Sequence, residues 1–208
     1  MKHTQTQSVL KLSALLLLCG LAAHASAQTV VLDSYGPGNA LDGWPSEVYR
    51  DASGRQDVAI PFTIATATSI QSILSSLEGL GGVTVGILAR PGALPSGSSW
   101  LYSTHLVDPA ANSLLTPAGW TLGSGNYWLA AVADTGFFGT WQSGTDQPTA
   151  AWSYTNSAGA WQPVSSAFVG LPAARITVSA VPEPSTYGLM LAGVLLLVGL
   201  RRQQGGAA

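Results

Sequence analysis

Through the middle of the chain, short apolar runs alternate with clusters of Gly, Pro, Ser and Asn, and inside the runs the period is two. In "GVTVGILAR", Val83, Val85 and Ile87 fall on one face of an extended strand. "GWTLGSGNYWLAAVAD" predicts a short strand, a glycine turn and a longer strand. In that longer strand Trp128, Ala130 and Val132 share one face, and Tyr127, Leu129 and Ala131 the other. Both faces are apolar, the mark of a central strand. "DVAIPFTI" predicts a strand whose Pro61 points to an edge or a bulge. In "TSIQSILSSLEGL", Ile70, Leu74 and Leu77 have helical spacing, but the β-branched and serine content predicts a strand. "WLYSTHLV" follows; "AAWSYTN" and "AWQPV" form a hairpin about "SAG"; "ARITVSA" closes the set. Eight or so strands joined by short turns predict an all-β, jelly-roll-like two-sheet β-sandwich over residues 28–180. Its acidic stretch Asp33–Asp57 reads as loop-rich.

The two ends break this pattern. Lys2 and Lys11 precede the apolar run "LSALLLLCGLAA", and Ala25 and Ala27 supply an A-x-A site. Residues 1–27 therefore read as a signal peptide, with Gln28 as the new N-terminus. Cys19 is the sole cysteine and lies in this segment, where Leu18 before it argues against a lipidation site. The exported part then has no disulfide and no thiolate chemistry. At the other end, Tyr187–Leu200 is a run of 14 uncharged, mostly apolar residues followed by Arg201 and Arg202. As a helix it spans about 21 Å at 1.5 Å per residue, against a bilayer core of roughly 30 Å. Pro182, Glu183 and Pro184 hold the chain extended ahead of it, and Ser185 or Thr186 can cap its start. Retention of basic residues on the cytoplasmic side places the lysines and the arginine pair inside and residues 28–180 outside.

Charged side chains make up only 9% of the 208 residues. Residues 28–180 carry four basic groups against nine acidic ones, a formal charge of −5. Nucleic acid, which needs a basic surface, is excluded as a partner.

Candidate chemistry is sparse. His105 is the one histidine after the signal peptide, and Ser103, His105 and Asp108 are neighbours in sequence without the geometry that makes a triad. No nucleophile elbow and no phosphate-binding glycine motif is present. One histidine and no cysteine supply too few ligands for zinc. No catalytic residue, metal site or cofactor is expected, although the acids of Asp33–Asp57 leave a structural calcium open. A remote alternative is a glycoside hydrolase with paired carboxylates drawn from Glu47, Asp51 and Asp57. Tryptophan is the stronger signal. Trp141, Trp152 and Trp161 are flanked by Gln, Ser, Thr, Gly and Asn, and Tyr154 shares the strand face of Trp152. Read as exposed, these four rings form a stacking platform of a carbohydrate-binding module; read as buried, they fill the sandwich core. One T-x-T at Thr66 and Thr68 is too little for the regular array that ice binding needs.

The extended Pro-Glu-Pro, the short apolar helix and the basic pair, in that order over residues 181–208, resemble the PEP-CTERM sorting signal of exopolysaccharide-producing Gram-negative bacteria. That resemblance implies an exosortase, a membrane-embedded cysteine protease thought to act as a transpeptidase, as partner. It makes Pro182, Glu183 and Pro184 the recognition residues and Arg201 and Arg202 the membrane stop. It further implies a transient inner-membrane anchor, cleavage, and a final place at the cell surface or in an extracellular biofilm matrix with exopolysaccharide. "VTVGILARPGALPSG" and "LGSGNYWLAAVAD" resemble the choice-of-anchor domains found with interchangeable sorting tails, which implies a fold and no activity. The expected molecule is an exported, non-catalytic surface or matrix protein.

Overall fold

The computed structural model describes residues 28–95, 100–146, 151–165, 170–181 and 193. In chain order the strands are β1 (Gln28–Asp33), β2 (Leu41–Arg50), β3 (Arg55–Gln56), β4 (Val58–Ile64), β5 (Thr68–Ser75), β6 (Leu77–Leu80), β7 (Gly82–Ala89) and β8 (Trp100–Val107). They continue as β9 (Ser113–Leu115), β10 (Thr121–Leu122), β11 (Gly125–Ala133), β12 (Phe138–Gly144), β13 (Ala151–Thr155), β14 (Trp161–Ser165) and β15 (Ala174–Ala180). All pair antiparallel. The β-sandwich expected from the pattern is present, with more and shorter strands than eight.

One layer is a six-stranded sheet in the order β14-β13-β4-β11-β7-β8. Its centre is the strand pair with the clearest alternation: Val83, Val85 and Ile87 of β7 and Leu129 and Ala131 of β11 all point into the core. Pro61 sits in β4 opposite Trp128, beyond the two residues through which β4 pairs with β13. The proline thus lies where its missing N–H costs no ladder bond.

The opposing layer of the sandwich is divided between two sheets. A five-stranded sheet has the order β1-β15-β5-β10 with β9 also on β5, and a four-stranded sheet the order β3-β2-β12-β6. The two meet at a seam where β5 runs into β6 through Ser76. Its N–H bonds Ala173 O at 3.1 Å and its hydroxyl bonds Gln142 O at 2.7 Å. Ala173 N–H bonds Gln142 O at 2.8 Å across the same line. Leu32, Ile73 and Ile176 from the five-stranded sheet, Val48 and Trp141 from the four-stranded sheet, and Ile60 and Ile87 from the six-stranded sheet pack in one core.

The stretch read as loop-rich is corrected. β2 crosses it for ten residues, and only Gly36–Ala40 and Asp51–Gly54 turn. The inward side chains of β2 are Ser46 and Val48, both buried. A small polar residue at an inward position hides the strand's period from a reading based on apolar residues.

Candidate functional site

The sorting segment begins where the sandwich ends. β15 is held between β1 and β5, and Val181 N–H bonds Ala67 O at 3.1 Å. Pro182, Glu183, Pro184, Arg201 and Arg202 lie outside the described residues, as do Ala25 and Ala27 of the signal site. Of the run Tyr187–Leu200 only Gly193 is described; it is helical and exposed. Among the described residues no helix is long and apolar enough to cross a membrane.

The four rings read as one exposed platform are divided by the fold. Trp141 on β12 is fully buried, and its Nε1–H donates to Ala173 O at 2.9 Å, across the seam. Trp152 on β13 is buried in the main core, edge-on to Tyr154 with centroids 6.3 Å apart. Tyr154 is half-buried against the same core. Trp161 on β14 pairs with Thr155, so it shares the face of Thr155 and Ser153, opposite to Trp152 and Tyr154. Trp141 and Trp152 therefore offer no free ring face. Trp141 has polar neighbours because strand alternation sends Thr140 and Gln142 outward while the ring between them goes in.

Trp161 belongs to a second, smaller cluster on the outer face of the six-stranded sheet. Ala59, Leu88, Trp128 and Ala130 are buried there, with Trp100 and Trp161 packed against them. The Arg90 guanidinium lies 4.7 Å from the Trp128 ring centroid, within cation–π range.

The acids considered for paired-carboxylate chemistry differ in their surroundings. Asp51 is bound into its own turn by the Ser53 hydroxyl at 2.6 Å and the Ser53 N–H at 2.7 Å. Those bonds, the hydroxyl first, hold its carboxyl below the usual carboxylate range. Asp57 is fully buried; its carboxylate meets Arg55 Nη2 at 2.6 Å and accepts Ala133 N–H at 3.0 Å. Glu47 is exposed on β2. Two other acids of the Asp33–Asp57 stretch also have separate tasks: Asp33 pairs with Arg175 at 2.7 Å and Asp42 accepts Trp44 N–H at 2.9 Å. Among the described residues no three His, Cys, Asp or Glu side chains converge as a metal site. His105 pairs with Asp134 at 2.7 Å, while Asp108 accepts Gly81 N–H at 2.7 Å. The sequence neighbours Ser103, His105 and Asp108 are thus not a working set.

What the fold does bring together is the outer face of the four-stranded sheet. Register places Tyr49, Phe138 and Leu80 in one row across β2, β12 and β6. The next row is Glu47, Thr140 and Glu78, and beyond it Pro45 stands opposite Gln142. Gln142 Nε2 donates to Glu78 Oε1 at 3.2 Å. The signal was present in "FGTWQ", where Phe138, Thr140 and Gln142 alternate outward.

Residues 180–203 match the family model of the PEP-CTERM protein-sorting motif. No curated protein and no solved structure matches the chain. The matched segment takes in the Pro-Glu-Pro, the apolar run and both arginines, and starts on the last residue of β15. A motif of this kind implies export, transient membrane anchoring through the tail, and an exosortase as the processing partner.

Proposed function

We propose that this chain is an exported, non-catalytic surface or matrix protein, cut from its tail by an exosortase and retained among exopolysaccharide in a biofilm. The carrying observation is the sorting-motif match at residues 180–203, set directly after the last strand of the sandwich. Three segments divide the work: 1–27 for export, 28–180 as the delivered domain, and 181–208 as the address. The apolar run is about 21 Å long as a helix, short for a bilayer core of roughly 30 Å, which suits a temporary hold better than a permanent anchor. The non-catalytic reading is supported by the engagement of Asp51 with Ser53, of Asp57 with Arg55 and Ala133, and of His105 with Asp134.

Intact-mass measurement of the surface form tests the processing. The expected species begins at Gln28 and lacks Arg201 and Arg202. A surface species that still carries both arginines refutes cleavage. Loss of processing in a chain with Pro182→Ala and Pro184→Ala, with export unchanged, would tie recognition to the Pro-Glu-Pro.

A further inference from the structure

We propose that the outer face of the four-stranded sheet is a binding platform for a polysaccharide that carries free amino groups. This gives the matrix reading a ligand class, and its test does not depend on whether the tail is cut.

The platform starts from exposure. Phe138 is 62% exposed and Leu80 74%, and they stand side by side in register with half-buried Tyr49. No described segment covers them. They form a small apolar strip directly beside the acidic row. Tyr49 and Phe138 supply two aromatic rings, a chemistry suited to the C–H faces of pyranose rings.

The neighbouring row sets the chemistry. Glu47 and Glu78 flank Thr140 on adjacent strands. With strands about 4.8 Å apart and side chains on one face repeating every 6.8 Å or so, rings and carboxylates fall within the footprint of a short sugar segment. Neither row contains a base, nor does the Pro45–Gln142 row beyond them. An ammonium group on the sugar would gain charge-assisted bonds from the carboxylates and a favourable position over the rings. An acidic polysaccharide would be repelled, both here and by the −5 charge of residues 28–180.

Charge also rules against a second copy of this chain. A two-fold contact through this face would bring together two acidic faces, with Glu47 and Glu78 on each. The apolar part is three side chains, far short of the roughly 1,000 Å² that a specific protein interface needs.

The face is backed by a rigid inner surface. Gly79 and Gly139 are paired on the inward side, and a Cβ on either would collide with the buried Phe137 ring. Phe137 thus packs directly against the backbone under Phe138 and Leu80, so little ordering remains to be done on binding.

The test uses the purified exported chain and a glucosamine oligomer, with affinity read by titration calorimetry. Phe138→Ala and Glu78→Gln are surface changes and should each weaken binding about tenfold, or 1.4 kcal/mol, with circular dichroism unchanged. Trp44→Ala, an exposed ring of opposite strand parity at 72% exposure, should leave affinity as it was. A neutral gluco-oligomer should bind more weakly and an oligogalacturonate not at all. Absence of binding, equal affinity in the Phe138→Ala chain, or equal binding of the oligogalacturonate would overturn the proposal. So would a dimer in the wild-type chain that Phe138→Ala dissolves, which would make the face a contact between copies.

Discussion

Replacing Asp57 by alanine should remove about 3 kcal/mol of stability, and the structure says where that energy resides. The carboxylate accepts Ala133 N–H at 3.0 Å on one oxygen and meets Arg55 on the other. The backbone bonds of Asp57 with Thr155 are untouched by the change: its own N–H to the Thr155 hydroxyl, and its carbonyl from Thr155 N–H. What alanine loses is first the charge-assisted bond to a buried strand amide, which leaves Ala133 N–H unsatisfied at a cost of about 1–3 kcal/mol. Arg55 loses its partner but is about a third exposed, so water takes much of its charge and the further loss stays below about 1 kcal/mol. Asp57→Asn keeps a carbonyl oxygen for Ala133 and should cost only about half as much. Urea unfolding followed by far-ultraviolet circular dichroism measures both. The melting temperature of the alanine chain should fall by roughly 6–12 °C for a domain of this size. An Asp57→Ala chain within 1 kcal/mol of wild type would refute the structural role and return this acid to the list of catalytic candidates. Equal losses in the alanine and asparagine chains would show that the Arg55 contact, not the Ala133 bond, dominates.

Trp141→Phe should cost more than Trp152→Phe by about 1 kcal/mol in the same assay, because Trp141 Nε1–H is bonded and Trp152 Nε1–H has no described partner; the reverse order would refute this account. At alkaline pH, Tyr35 is the group to watch. Burial, opposed by the Ser76 hydrogen bond and then the Arg175 charge and aided last by the Asp33 charge, pushes its phenol up to about 12. A folded value raised above the unfolded one leaves its stability contribution whole below pH 10 and removes it as pH rises toward 12, by roughly 2–3 kcal/mol. Tyr35→Phe should flatten that decline, and an unchanged decline would place its cause elsewhere.

Legibility in the sequence followed the chemistry of the inward side chains. β7 and β11 are continuous enough in Val, Ile, Leu and Ala to be read as strands and ordered as central. The hairpin of β13 and β14 was signalled by Asn156 and Gly159 between two aromatic runs, and Gly159 takes φ 85° in its turn. β2 and β12 were missed because their inward positions include Ser46, Gly139 and Ser143, small residues that carry no hydrophobic period; Gly139 is covered by the Phe137 ring and the Ser143 hydroxyl bonds Gly170 O. The seam itself joins residues about a hundred positions apart, Ser76 with Ala173, and no local pattern announces such a pairing. Ring placement was open for the same reason: Trp152 and Trp161 have similar neighbours and face opposite ways because the hairpin register says so.

The position of β15 has a mechanical consequence. A pull arriving through the C-terminal tail would act along the axis of a strand bonded on both sides, five register pairs with β1 and seven with β5. The load would shear two ladders together instead of peeling a single edge strand open bond by bond. While the tail anchors the chain, the sandwich is built to bear tension at that tether.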